Sequence, residues 1–127
     1  MQDKYLYEYA VIRVVPRVER EEFLNVGIIL YCSKQGFLET KIHLNQERLK
    51  NFSSAVEYAE LQQYLQTWKR ICKGGTEGGS IGFLPIASRF RWLTATRSTI
   101  VQTSKVHPGF CDNPSETLEC LFQALVL

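Results

Sequence analysis

The chain has little of what metal sites and membrane spans are built from. Its 127 residues include only two histidines and four cysteines. Cys32, Cys72, Cys111 and Cys120 form no CxxC pair, so no metal site is expected. No apolar run approaches the ~20 residues that a membrane-crossing helix requires. Met-Gln-Asp-Lys leads straight into alternating tyrosines, unlike a secretory signal. Reduced, mostly buried thiols in a cytoplasmic protein are therefore the expectation. Charge of one sign is also lacking. Fifteen basic and thirteen acidic side chains leave a net charge of +2, so any cationic surface must come from local clustering. Residues 73–82, KGGTEGGSIG, contain five glycines, yet no Lys-Ser/Thr follows as in a phosphate-binding P-loop. The stretch reads as a flexible connector, with a closing lid as the alternative. Neither Ser98 nor Cys111 has the local context of a nucleophile, and Glu19, Glu21 and Glu22 read as a solvated loop. Hydrolase chemistry is disfavoured on these grounds, and no cofactor is expected.

What the chain does have is a strongly β-forming start. Tyr5 to Val15 is rich in Tyr, Val and Ile, and both of its alternating faces are largely apolar. That pattern predicts a central strand covered on both sides. Pro16 ends it, Arg17 to Glu22 is charged, and Phe23 to Cys32 reads as the second arm of an antiparallel hairpin. Gly27 in its middle predicts a bulge or a close backbone approach. Phe37 to Leu44 predicts a third strand at a sheet edge. Asn45 caps a short helix through Phe52, and Ser54-Ala-Val-Glu57 has capping-box spacing ahead of a longer one. That longer helix carries an apolar stripe from Tyr58 to Cys72 and stops at Gly74-Gly75. Arg89-Phe-Arg-Trp-Leu93 alternates and predicts a strand, as does Arg97 to Thr103, while Lys105 to Phe110 reads as a turn. Asn113-Pro-Ser-Glu116 opens a last helix. The sum is one α+β domain over residues 1–127. It has an antiparallel sheet of about four to five strands with two main helices packed on one face.

Seven residues stand out as candidates for a phosphate or ligand site. Arg89, Arg91, Arg97, Lys105 and His107 fall within 19 positions, interleaved with Phe90 and Trp92. On a strand, Arg89 and Arg91 would project to one face, where guanidinium forks suit phosphate and rings can stack bases. The alternative is a solvated face paired with acids. Ser98 adds a hydroxyl beside Arg97. Arg13 is a charge on an otherwise apolar strand, so it must be paired or reach a cleft. Asn25 is polar inside FLNVGIIL, beside Gly27. It either satisfies a buried backbone group or presents its amide to a ligand. His107, before Pro108-Gly109, is a candidate base or phosphate contact, with a plain surface histidine as the alternative.

Three segments carry a resemblance. They are YEYAVIRVVP at Tyr7 to Pro16, EFLNVGIIL at Glu22 to Leu30, and RSTIVQTSKVHPG at Arg97 to Gly109. In this order they make the chain resemble domain-of-unknown-function family 3037, small bacterial proteins without an assigned activity. Where that family more often has Gly before Glu-Phe, this chain has Glu21, so a different turn geometry is expected there. The resemblance implies a companion of the HipA-like kinase type and picks out Arg13, Asn25, Gly27, Arg97, Ser98 and His107 as motif positions. The resulting expectation is a small cytoplasmic accessory domain acting with a protein partner in a toxin–antitoxin or phage-defence setting. A nucleotide- or nucleic-acid-binding module using the arginines is the second possibility, and a nuclease- or transferase-like enzyme the third.

Overall fold

A computed structural model describes residues 4–54, 56–96 and 99–127. Strand β1 spans Tyr5–Val14 and forms the centre of the sheet. It pairs antiparallel with β2, Leu24–Cys32, which pairs antiparallel with β3, Phe37–Ile42, at one edge. Two short strands share the other side of β1. Val101–Thr103 (β4) pairs with its C-terminal half, and His107–Cys111 (β5) with its N-terminal half. Ser104 closes the gap between them: its Oγ accepts the Val11 amide at 2.8 Å, and its own amide donates to the Val11 carbonyl. The sheet is therefore antiparallel with five strands, and the α+β class read from the sequence is the class of the fold.

Helices α1, Gln46–Phe52, and α2, Tyr58–Lys73, follow β3. Asn45 caps α1 by accepting the Arg48 amide, as its position predicts. The capping-box reading at Ser54 is corrected, because α2 begins at Tyr58 with Glu57 as an extended N-cap that makes no side-chain bond. Ile86–Leu93 is helix α3, not a strand. Its apolar residues Ile86, Phe90 and Leu93 are four and three apart, a helical stripe that the Arg-Phe-Arg-Trp alternation obscured. The segment read as a turn at Lys105 to Phe110 contains β5 instead. Pro108 is tolerated there because β5 lies at a sheet edge. The glycine-rich stretch folds into two 3-10 turns, Thr76–Gly78 and Ile81–Phe83, tied by the Gly75 amide to the Gly82 carbonyl at 2.9 Å. Helix α4, Pro114–Leu125, starts where expected, with Asn113 Oδ1 accepting the Ser115 and Glu116 amides.

The helices are not all on one face. Leu61, Leu65, Trp68 and Ile71 of α2 and Phe90 and Leu93 of α3 pack with Ala10, Ile12, Val14, Ile29 and Tyr31. Leu118, Phe122 and Val126, in and just after α4, pack on the other side, against Val11, Ile28, Leu30 and Cys32. Both faces of β1 are apolar, so each supports its own layer. A bulge reconciles β2 with this arrangement. The pairing shifts between Ile12 and Arg13, so Leu24 and Val26 join the α2 side together with Ile29 and Tyr31. Gly27 permits the close packing there: a Cβ at this position would lie 2.8 Å from the Lys41 carbonyl oxygen. In the β1–β2 connection Glu21 adopts a left-handed conformation, φ 56° and ψ 23°, which a glycine adopts without strain.

Candidate functional site

Arg13 and Asn25 are direct cross-strand partners beside the bulge. Ile12 and Val14 point into the α2 side, so strand alternation puts Arg13 on the α4 side. The Arg13 guanidinium carbon stands 3.9 Å from the centre of the Phe23 ring. This cation–π contact fixes the head of the side chain. Its Nε is buried and has no hydrogen-bond partner among the described residues. Burial accordingly pulls the Arg13 pKa down from its ordinary value, so the charge is held at a cost of lost hydration. Asn25 shows the same incompleteness. Its Nδ2 donates to the Leu125 carbonyl at the end of α4, while its buried Oδ1 has no partner among the described residues.

Arg13 lines a cleft of about 460 Å³ together with Thr94, Ala95, Thr96, Gln102, Thr103, Ser104, Lys105 and Val106. The chemistry of this lining is one-sided: among the described residues it contains two cations and no carboxylate. The Gln102 amide is turned to the Thr99 carbonyl, and the Thr94 hydroxyl to the Phe90 carbonyl. These bonds hold the walls in place, and Arg13 and Lys105 are the charged residues of the described lining, the Arg13 guanidinium itself lying over Phe23. By contrast, the smaller depression of about 220 Å³ beside Pro16, Arg17 and Phe52 has its Arg20 paired with Glu22 at 2.6 Å.

The remaining sequence candidates separate. Arg89 turns away from any ligand surface: its Nη1 donates to the Ile71 and Cys72 carbonyls at 2.7 Å each, and its Nε to the Leu84 carbonyl. It caps the C-terminal end of α2, where a cation also suits the helix dipole. Arg91, itself exposed, lies 3.7 Å from the partly buried Glu8, a long and largely solvated pair worth little. Because α3 is a helix, these two arginines do not share a face as they would on a strand. Arg97 and Ser98 lie outside the described residues. His107 pairs with Tyr9 across β1 and β5, with ring centres 5.3 Å apart. It shares the α4 side of the sheet with Arg13, four residues away along β1. The structure thus brings Arg13 and Asn25 together, adds His107 farther along the same face, and places Arg89 and Arg91 elsewhere.

Sequence reasoning did not single out Phe23 or Lys105 as parts of a site. Phe23 was hidden inside an apolar run, although an aromatic two residues from a polar strand position sits on the same side as its neighbour. Lys105 was counted only as one charge in a cluster. Among the described residues no group of three His, Cys, Asp or Glu side chains gathers as a metal site, and no helix is long and apolar enough to cross a membrane. Burial pushes the Cys72 thiol up to about 12, which leaves it protonated at neutral pH and unsuited to nucleophilic chemistry.

No curated protein and no solved structure matches the chain. One family model does, over residues 9–126, under the description "Protein of unknown function (DUF3037)". That match spans β1 from Tyr9 through α4, so every residue of the cleft lies within it. The chain belongs to the DUF3037 family.

Proposed function

We propose that this domain binds a phosphate-bearing ligand, of the nucleotide or nucleic-acid class, in the cleft between Arg13 and Lys105. The observation that carries this reading is the cleft lining, which among the described residues holds Arg13 and Lys105 and no carboxylate. A half-hidden guanidinium is disfavoured unless its donors are satisfied, and a phosphate oxygen satisfies them with opposite charge. Phe23 holds the fork in place beforehand, so little freedom is lost when the anion arrives. Titration calorimetry with tripolyphosphate tests this directly. Saturable binding that weakens with salt and disappears in Arg13→Leu supports the reading; equal binding by the variant overturns it.

A second reading has its own observation. Leu6 and Phe110 are cross-strand partners, 50% and 69% exposed, on the edge of the sheet formed by β5. An exposed apolar pair of this kind suits a protein partner. It fits an accessory domain in the cytoplasm working with a HipA-like kinase-type protein in toxin–antitoxin or phage defence. Size-exclusion chromatography with such a protein tests it: co-elution lost in Phe110→Asp supports it, and independent elution at micromolar concentration overturns it.

A further inference from the structure

We infer that the ligand of this face is a single strand of nucleic acid, its phosphates on Arg13 and Lys105 and a base stacked on Tyr9 and His107. This rests on the phosphate reading of the Arg13 cleft and extends it along β1. Strand alternation puts Tyr5, Tyr7, Tyr9, Val11 and Arg13 on one side of β1. Val11, between Tyr9 and Arg13, is covered in the α4-side core, so the surface that joins them runs beside it over β4 and β5, where register sets His107 beside Tyr9 and Gln102 beside Arg13.

The rings form a row. Tyr7 and Tyr9 have centres 6.2 Å apart and planes tilted by 35°; Tyr9 and His107 are 5.3 Å apart and tilted by 37°. No ring stands edge-on to the next, so together they present a shallow platform. The row is seated from below. The Tyr7 ring covers Gly109 so closely that a Cβ there would lie 2.5 Å from it. This cover explains the glycine of the His-Pro-Gly sequence: it makes room for the ring that braces Tyr9. Helix α4 fills its side of the sheet over Ile28, Leu30 and Cys32, while Tyr7 and Tyr9 remain half-buried and His107 is exposed. Partly exposed rings and a cleft whose described lining has two cations and no carboxylate are the two parts of a single-strand site, stacking and phosphate neutralisation.

Dimensions favour a strand over a lone nucleotide. Four residues of β1 separate the Tyr9–His107 pair from Arg13, about 13 Å at the usual strand rise. A stacked strand advances about 3.4 Å per nucleotide, so roughly four nucleotides cover that distance. A duplex hides its base faces and cannot use the rings.

The test is fluorescence anisotropy with labelled eight-nucleotide oligothymidylate, an abasic strand of the same length, and a duplex, alongside tripolyphosphate as competitor. Wild-type protein is expected to bind oligothymidylate at least tenfold tighter than the abasic strand or the duplex. His107→Ala is expected to remove about tenfold of that preference and leave the abasic strand unchanged. Because His107 is exposed, the variant retains the fold. Equal binding of abasic and base-bearing strands, a preference for duplex, or unchanged oligothymidylate binding by His107→Ala overturns the stacking inference. The phosphate reading survives those results as long as tripolyphosphate competes. If neither tripolyphosphate nor any strand binds, the phosphate reading fails and this inference with it.

Discussion

The two faces of the sheet are built to different standards of completeness. The α2 and α3 side is the more fully closed, although the Thr40 hydroxyl, paired across from Ile29, is also buried there without a partner among the described residues. Phe90 is 0% exposed and stacks on Tyr31 at 5.2 Å, and even the arginine that reaches this layer, Arg89, places its donors on three carbonyls. On the α4 side apolar closure stops at Val11, Ile28 and Leu30. On one side of Val11 along β1 lie Arg13 and Asn25, each with a buried polar atom lacking a partner among the described residues, and on the other a row of aromatic rings that the helix leaves half-covered. Buried polar groups in folded proteins are nearly always satisfied, so such exceptions call for an explanation. The contrast teaches that the first face is mainly apolar core, while the second sets a charge and an amide beside its core, which is what the proposed ligand reading builds on.

The largest effect that would sharpen this contrast belongs to Phe90. Phe90→Ala leaves a cavity in the closed layer and is expected to cost about 3–5 kcal/mol in urea denaturation. His107→Ala, on the open face, is expected to change stability by no more than about 0.5 kcal/mol. Comparable losses from both substitutions would break the comparison.

Cys72 tests the closed layer by pH. Its thiol value rises from an ordinary 9.0 to about 12 because of burial. Between those values the unfolded chain releases a proton that the folded protein keeps. Stability is therefore intact below about pH 9 and declines as pH rises toward 12, by at most about 4 kcal/mol. In parallel thermal melts Cys72→Ala should show a shallower decline than wild type over that window. Identical slopes would show that Cys72 is not sealed.

Arg89→Lys comes next. A lysine cannot reproduce a fork that bonds three carbonyls, so a loss of about 2 kcal/mol is expected, with oligonucleotide or tripolyphosphate binding unchanged. Weakened binding at retained stability would return Arg89 to the ligand surface. Glu21→Gly runs the other way. Relieving the left-handed strain at φ 56° is expected to stabilise the protein by about 1 kcal/mol in chemical denaturation, without affecting the cleft. A destabilised variant would mean that the Glu21 side chain makes up for the strain.

Much of the architecture was legible. Pro16, Gly27, Asn45 and the Asn113-Pro114 start are local signals whose physics does not depend on tertiary context, and each marks what it should. Which face each helix covers was not legible. With both sides of β1 apolar, only the return path of α4 decides it. Strand β5 was hidden by Pro108 and Gly109, which read as turn residues until an edge position and the Tyr7 ring give each a reason. Helix α3 was missed because Arg-Phe-Arg-Trp-Leu fits period 2 over five residues, and only the longer spacing from Ile86 to Leu93 distinguishes it. At the candidate site, Arg13 and Asn25 stand out from sequence because polar residues inside apolar strands demand an explanation. The cleft could not, because its walls come from residues 94–96 after α3 and from the β4–β5 junction.

The central claim is that Arg13 is kept for a ligand at the expense of its own satisfaction. Calorimetric titration of tripolyphosphate into wild type and Arg13→Leu, with thermal melts of both, measures the two sides of that claim together. The account predicts that Arg13→Leu binds at least tenfold more weakly while its stability stays within about 1 kcal/mol of wild type, since it loses one cation–π contact and one desolvated charge. Undiminished binding, or a loss of several kcal/mol in stability, would contradict it and make Arg13 part of the scaffold.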